Sequence, residues 1–339
     1  MNSISAVSRR RRIVGASALV VACATAAAGI AAAASARPAS QKQVRVAYLS
    51  FAVANSYDAP MLAAARAVAK AQGGKVTVFD AANDPKKQLG QLQTVMTSKQ
   101  YDAIVVQPIF GPQLIPTIKT AISSGLKVVN MDQILGTNPG TAAPPVSGMA
   151  GNVVFVQTQI GSKQGGLVVK ACAALGASPC KVGYLYSVKV SSLDTAIRKG
   201  FDAVTKGHNI QVVAQGETFY NPANALKAAQ TMLQAQPDLN VIVGADQGAT
   251  GAQQALTGQK VTLIGYGGGA VGLKAVASGA WYGTVVQRPA TEGKLAMQCA
   301  IKAVRTGKGC GGIDVLKSLP DGGVVTKANA SKFKAEWPG

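Results

Sequence analysis

From Val44 onward the chain repeats one pattern: a short apolar run rich in valine and isoleucine, a brief polar loop, then a stretch with helical spacing. Val44 to Leu49, Val76 to Phe79, Ala103 to Gln107 and the run around Val128 read as strands. Between them, Ala59 to Gln72, the stretch through Leu89, Leu92 and Met96, and Leu114 to Ser124 read as helices. Asn83-Asp84-Pro85 offers an N-cap and a proline for the first helical turn. Four strand-helix steps with short loops imply a parallel sheet covered on both faces.

The glycine- and proline-rich loop from Gly136 to Gly148 breaks this rhythm, and a strand at Val153 to Val156 and a helix from about Gln164 to Leu175 follow it. A second series then begins, with strands at Lys181 to Tyr186, Ile210 to Gln215, Val241 to Gly244 and Val261 to Tyr266. Helices at Leu193 to Thr205, Ala223 to Gln236 and Ala249 to Leu256 alternate with them. A second sheet is the simplest reading. A strand at Tyr282 to Val286 and a helix from about Ala290 to Val304 remain, which suggests that the chain crosses back to the first lobe. With 339 residues, 48% of them hydrophobic, the chain can fill two α/β cores.

Residues 1–36 differ from the rest. Arg9 to Arg12 precede an apolar run that is alanine-rich up to Ala34, and the small-residue triplet Ala34-Ser35-Ala36 closes it, as an export signal requires. The alternative is a membrane anchor, against which the weak hydrophobicity of alanine counts. Val20-Val21-Ala22-Cys23 is an imperfect lipidation box, so Cys23 is a candidate lipid anchor, whereas cleavage after Ala36 leaves a soluble protein in the periplasm or on the outer face of the membrane.

Net charge is +20, and the leader removes four arginines and no acid, which leaves +16. Lysines and arginines are scattered without a dense run and aromatics are only 5%, so neither a phosphate-tracking stripe nor a stacking platform for nucleic acid is expected. Apart from Cys23, the cysteines fall in two close pairs, Cys172 with Cys180 and Cys299 with Cys310, each at a helix end and the loop after it. Three pairings are open to four cysteines, and proximity favours these two as disulfides in an oxidising compartment. Their spacing does not suit a metal, and the single histidine, His208, sits in a turn-like Gly-His-Asn.

Two stretches carry candidate chemistry. GLKVVNMDQ, Gly125 to Gln133, joins a helix C-cap to a buried strand and ends on Asp132 and Gln133, at the carboxyl end where open parallel sheets bind ligands. Capping of the following turn is the competing role for Asp132. Gly267-x-Gly269-x-x-Gly272 follows a strand and opens a helix as a dinucleotide site does, but no carboxylate lies at Trp281 to Gln287, where a ribose-binding acid belongs. With one histidine and three glutamates, general-base catalysis has few groups to use. No catalytic residue and no cofactor is expected.

In order, the pieces resemble the ribose-binding-protein family, the sugar-type solute-binding proteins of bacterial ABC importers related to the LacI ligand-binding core. The resemblance runs from about Val44 to Val315 through the Asn55/Tyr57 loop, DAANDPKKQLGQLQTVM, VVQP, LKVVNMDQ, IRKGFDAV, QAQPDLNVIVGADQGATGAQQAL, VTLIGYGG and TVVQRP. It implies a periplasmic-binding-protein type I fold, with two doubly wound parallel-sheet, Rossmann-like lobes joined by three crossovers. The lobes would be residues 44–158 with 288–314, and 159–287 with 315–339, after a linker at 37–43. Carried over residue by residue, the ligand-binding set would be Asn55, Tyr57, Asp132, Gln133, Tyr220, Asp246 and Gln287. For Tyr57 and Tyr220 simple packing is the alternative. The implied protein is a monomer that delivers a small polar ligand, a sugar by family, to an ABC permease; presentation to a membrane sensor kinase and an exported Rossmann-like enzyme are the alternatives. Several family positions depart: Ala245 and Gly267 replace polar groups, Gln133 replaces an arginine, and Arg198 falls out of step with another, so a less hydroxylated or partly apolar ligand is also compatible.

Overall fold

The computed structural model describes residues 42–339; the expected leader, most of the linker and Cys23 lie outside the described residues. The first half runs β1 (Val44–Ser50), α1 (Asp58–Ala71), β2 (Gly74–Asp80), α2 (Pro85–Ser98), β3 (Ala103–Val106), α3 (Gly111–Ser123), β4 (Lys127–Asp132) and β5 (Gly151–Val154). The second runs α4 (Gln157–Leu175), β6 (Cys180–Tyr186), α5 (Ser192–Thr205), β7 (Ile210–Glu217), α6 (Pro222–Ala235), β8 (Val241–Val243), α7 (Asp246–Ala255), β9 (Thr262–Ile264), α8 (Ala270–Ser278) and β10 (Gly283–Val285). Then α9 (Pro289–Thr306) and β11 (Gly311–Asp314) return to the first sheet, and β12 (Val324–Thr326) completes the second.

The two sheets are wound alike, in the orders β11-β5-β4-β3-β1-β2 and β12-β10-β9-β8-β6-β7. Every described pairing is parallel except that of β12 with β10, an antiparallel edge the sequence does not announce. The chain passes between the sheets after β5, after β10 and after β11, so three connections join the lobes. Alternation along β1 explains why both of its faces are apolar. Val46 and Tyr48 pack with Met61 and Leu62 of α1, while Ala47 and Leu49 pack with Leu92 of α2 and Ile118 of α3. Asp84 accepts from the backbone N–H groups of Lys86 and Lys87, and Asn221 does the same for Ala223 and Asn224, each before a proline that opens its helix.

Both expected disulfides are present. Cys172–Cys180 ties the end of α4 to the start of β6, with Cα atoms 5.8 Å apart, and Cys299–Cys310 ties α9 to the approach to β11 at 5.6 Å. Helix α4 begins well before the expected Gln164. Its first two turns carry polar residues and a glycine, which read as a loop. In the fold Gln157 and Gln164 are buried and donate to the backbone carbonyls of Asp132 and Gly244, and Gly161 sits where α4 touches the backbone of α5.

A Cβ at Gly161 would overlap the carbonyl of Ile197, and one at Gly200 of α5 would overlap that of Thr158, so these helices meet backbone to backbone. Gly166, on the same helix α4, has open space where a side chain would go. The two glycines therefore give opposite results on replacement. Gly161→Ala is expected to lower stability by about 1–3 kcal/mol through overpacking, and Gly166→Ala to raise it by roughly 0.5–1 kcal/mol through helix propensity. Urea unfolding of both variants checks this.

Candidate ligand-binding site

The carboxyl ends of both sheets face one cleft, and nearly all of its wall comes from residues that follow a strand. From the first lobe come Phe51, Asn55, Tyr57 and Asp58 after β1, Gln107 after β3, and Asp132 and Gln133 at the end of β4. The second lobe contributes Leu193, Tyr220, Ala245, Gln247, Tyr266, Gly267 and Gln287. Trp337, from the segment beyond β12, completes the wall. The cleft's empty volume, counted together with the space open to solvent at its mouth, is about 420 Å³. Rings of the two lobes meet across it edge to face, Phe51 with Tyr220 at 6.4 Å and Tyr57 with Trp337 at 5.4 Å.

Six of the seven sequence candidates thus line one cavity: Asn55, Tyr57, Asp132, Gln133, Tyr220 and Gln287. Asp246 does not. It is wholly buried in the first turn of α7, where Oδ1 accepts from Thr284 Oγ1 at 2.7 Å and Oδ2 from the Gly269 N–H at 2.8 Å. That carboxylate occupies the mouth of the Gly267–Gly272 loop. The next two amides there, Ala270 and Val271, donate to the carbonyls of Trp337 and Pro338. Side chains at Gly269 and Gly272 would collide with Gly339 and with Asp246, so these glycines serve close packing, and the donors a pyrophosphate would use are already taken. Arg198 lies in α5, paired with Asp202 and donating to the Tyr186 hydroxyl, away from the wall.

Asp132 does not cap a turn with its side chain. Its Oδ2 accepts from Gln107 Nε2 and Gln133 Nε2, both at 2.9 Å, and Oδ1 accepts from the Tyr57 hydroxyl at 3.2 Å. Its backbone is left-handed, φ 60°, and the Gln133 N–H turns back to the Met131 carbonyl at 2.6 Å. Such a conformation in a non-glycine residue is strained and is retained where neighbours over-determine it. Gln107 also donates to Asp58 Oδ1 at 2.7 Å, so one amide group spans two carboxylates.

Among the described residues that line the cavity there is no lysine, arginine or histidine. Burial without a cation disfavours ionisation. It pushes the Asp58 carboxyl up to about 8, against the hydrogen bonds from Gln107 and Ala52. Asp132 is raised by burial too, with its three side-chain donors pulling it back. Glu292, fully buried in the first turn of α9, is raised well above its usual range by burial and then by the charge of Asp132. Hydrogen bonding gives an independent reason for a proton here. The Tyr57 hydroxyl lies 3.2 Å from Asp132 and 3.3 Å from Glu292 Oε2, and a phenol has one proton. When it donates to Asp132, Glu292 must be protonated to donate to Tyr57.

Asp58, Gln107, Phe51, Leu193, Gln247, Tyr266 and Trp337 were not among the sequence candidates. Gln107 lies in the VVQP stretch and Tyr266 in VTLIGYGG, so strand ends carried the signal for both. Trp337 comes from a segment far along the chain that does not directly follow a strand, and no local pattern marks it.

Carboxyls raised in the fold bind protons that the unfolded chain has released, so unfolding free energy falls as pH rises from the ordinary carboxyl range near 4. The fall extends to about 8 for Asp58, with Asp194 at about 7 and Asp246 at about 6 adding to it. Urea midpoints are therefore expected to be higher at pH 5 than at pH 8. Glu292→Gln keeps a donor for Tyr57 without a charge, and is expected to flatten the slope and stabilise the protein at pH 8. A slope unchanged in that variant would mean Glu292 is not a proton holder.

Known proteins share the fold of this chain. The chain is 25% identical over 235 residues to the ribose import binding protein of Bacillus subtilis (strain 168), covering 68% of this chain and 72% of that one. It is 28% identical over 252 residues to the D-allose-binding periplasmic protein of Escherichia coli (strain K12), covering 71% and 78%. A crystal structure of an ABC transporter solute-binding protein from Mycobacterium smegmatis with bound glycerol superposes with a TM-score of 0.71 at 27% identity, over 88% of this chain and 99% of that one. Residues 46–309 match the profile of the periplasmic binding protein domain, and the chain belongs to that family.

Proposed function

We propose that the protein is the extracytoplasmic solute-binding component of an ABC importer, and that it holds a small neutral sugar or related polyol between its lobes. The observation that carries the reading is the wall itself. Amides and carboxyls from the first lobe offer donors and acceptors for hydroxyls, while rings from both lobes offer flat faces for C–H groups. With no basic side chain on the wall, a phosphate or carboxylate ligand would have no counter-charge. The import role rests on the family and on relatives that bind ribose and D-allose. Among the described residues no helix is long and apolar enough to cross a membrane, so delivery would need a separate permease. Export directed by residues 1–36, with Cys23 as an alternative lipid anchor, belongs to the same reading, as does a monomeric state.

The three connections would act as the hinge between lobes made of residues 44–158 with 288–314 and 159–287 with 315–339. Closing on a ligand should reduce the radius of gyration in solution scattering. Thermal unfolding against ribose, allose, myo-inositol, glycerol and their phosphorylated counterparts tests the ligand class. A true ligand at ~100 times its dissociation constant adds about 2.7 kcal/mol to stability, and the phosphorylated forms should add nothing. Stabilisation by phosphorylated ligands alone would overturn the reading. Gln287→Ala, which removes one wall amide, should weaken binding roughly 2- to 10-fold in calorimetry with little change in unfolding.

A further inference from the structure

The segment from Glu336 to Gly339 is a strap laid over the cleft. Glu336 accepts from Thr291 at both carboxylate oxygens, 2.8 Å from its N–H and 2.5 Å from its hydroxyl, at the start of α9. The carbonyls of Trp337 and Pro338 accept from the first amides of α8, at 2.9 and 3.0 Å. From there the strap reaches the first lobe: the Gly339 carbonyl accepts from Ser56 Oγ at 3.2 Å, and the Trp337 ring meets Tyr57.

Trp337 is 4% exposed and its Nε1–H donates to the Gly267 carbonyl at 2.9 Å. The polar edge of the indole is thereby spent on the protein, which leaves ring carbon for the cleft. Gly267 is the residue that makes room. Its φ of 129° suits glycine, and a Cβ there would come within 2.7 Å of Trp337 Cζ2. Just beyond β9, where a side chain at position 267 would otherwise project, the indole stands instead. Beyond the neighbouring strand β8, at the start of α7, stands Ala245, a bare methyl, and Leu193 lies in the first turn of α5, after β6. Beyond three adjacent strands of the second lobe, the wall thus carries an apolar patch of leucine, alanine and indole carbon, flanked by the polar tips of Tyr220, Gln247, Tyr266 and Gln287, opposite a first lobe that presents Asn55, Gln107 and Asp132.

We propose that Trp337 is a specificity-determining wall of the site and that the ligand is a deoxy sugar, with a hydroxyl-bearing edge toward the first lobe and a C–H or methyl edge against the indole. The proposal rests on the sugar-binding reading and narrows it. A hydroxyl set directly against the leucine, alanine and indole carbons would lose its water with no partner in that patch, whereas a hydrogen or methyl there is buried at no such cost.

Matched pairs give the test: D-fucose against D-galactose, L-rhamnose against L-mannose, and 2-deoxy-D-ribose against D-ribose, by calorimetry and tryptophan emission. For at least one pair the deoxy sugar should bind roughly 10- to 100-fold tighter than its hydroxylated partner. Trp337→Ala should weaken the deoxy sugar and bring the two affinities close together. Trp337→Phe keeps an apolar ring and should keep the order of affinities while losing the ligand-dependent emission change, since Trp281, the other tryptophan, is buried away from the wall. If Trp337→Ala does not fold, the parent ratio and the phenylalanine variant decide. Hydroxylated sugars that bind as tightly as their deoxy partners overturn this proposal and leave the sugar reading standing. So does a folded Trp337→Ala with an unchanged ratio. Failure of every sugar to bind overturns both.

Discussion

Gln107 donates to Asp58 and to Asp132 from one amide nitrogen, and its oxygen accepts from the Phe51 N–H. Those contacts hold together the loop after β1, the start of α1 and the end of β4, which are separate in sequence and make up the first lobe's face of the cleft. Gln88 braces it from behind, donating to the Gln107 carbonyl and accepting from the Ile109 N–H. Neutral amides satisfy the carboxyls without cancelling charge, so burial is left to set their protonation. The wall's shape and its proton content therefore have one cause.

The second lobe solves the same problem with different residues. Asp194 accepts from the Val188 backbone and Asp246 from Thr284 and Gly269, so buried carboxyls again fasten loops that follow strands, with neutral donors. The difference lies in what remains for the cleft. Asp132 lines it, whereas Asp246 is turned into the packing between α7, α8 and β10. A carboxylate at a strand end is thus a recognisable device, but whether it reaches a ligand depends on how tightly the following loop closes over it.

This is where sequence reading succeeded and where it stopped. Apolar runs such as Val46 to Leu49, alternating with helices through short loops, disclose parallel strands covered on both sides, and Asp84-Pro85 marks a helix start, because propensity, period and capping agree there. Asp132 and Gln133 were visible because they close a buried strand. Helix α4 was shortened because Gln157, Gly161 and Gln164 look wrong for a helix until their buried partners are known. Trp337 was invisible for a related reason: its place depends on the absence of a side chain at Gly267, and that pairing spans 70 residues.

The two protons shared among Tyr57, Asp132 and Glu292, one on the phenol and one on Glu292, bear on how binding would be measured. A hydroxyl that donates to Asp132 competes with Tyr57 for the same oxygen, and a displaced Tyr57 proton turns toward Glu292, which then has a reason to release its own. Occupancy of the cleft would in that case change the number of protons the protein carries. The heat of binding would include ionisation of the buffer that takes them up, and two buffers at one pH would report different enthalpies for the same sugar.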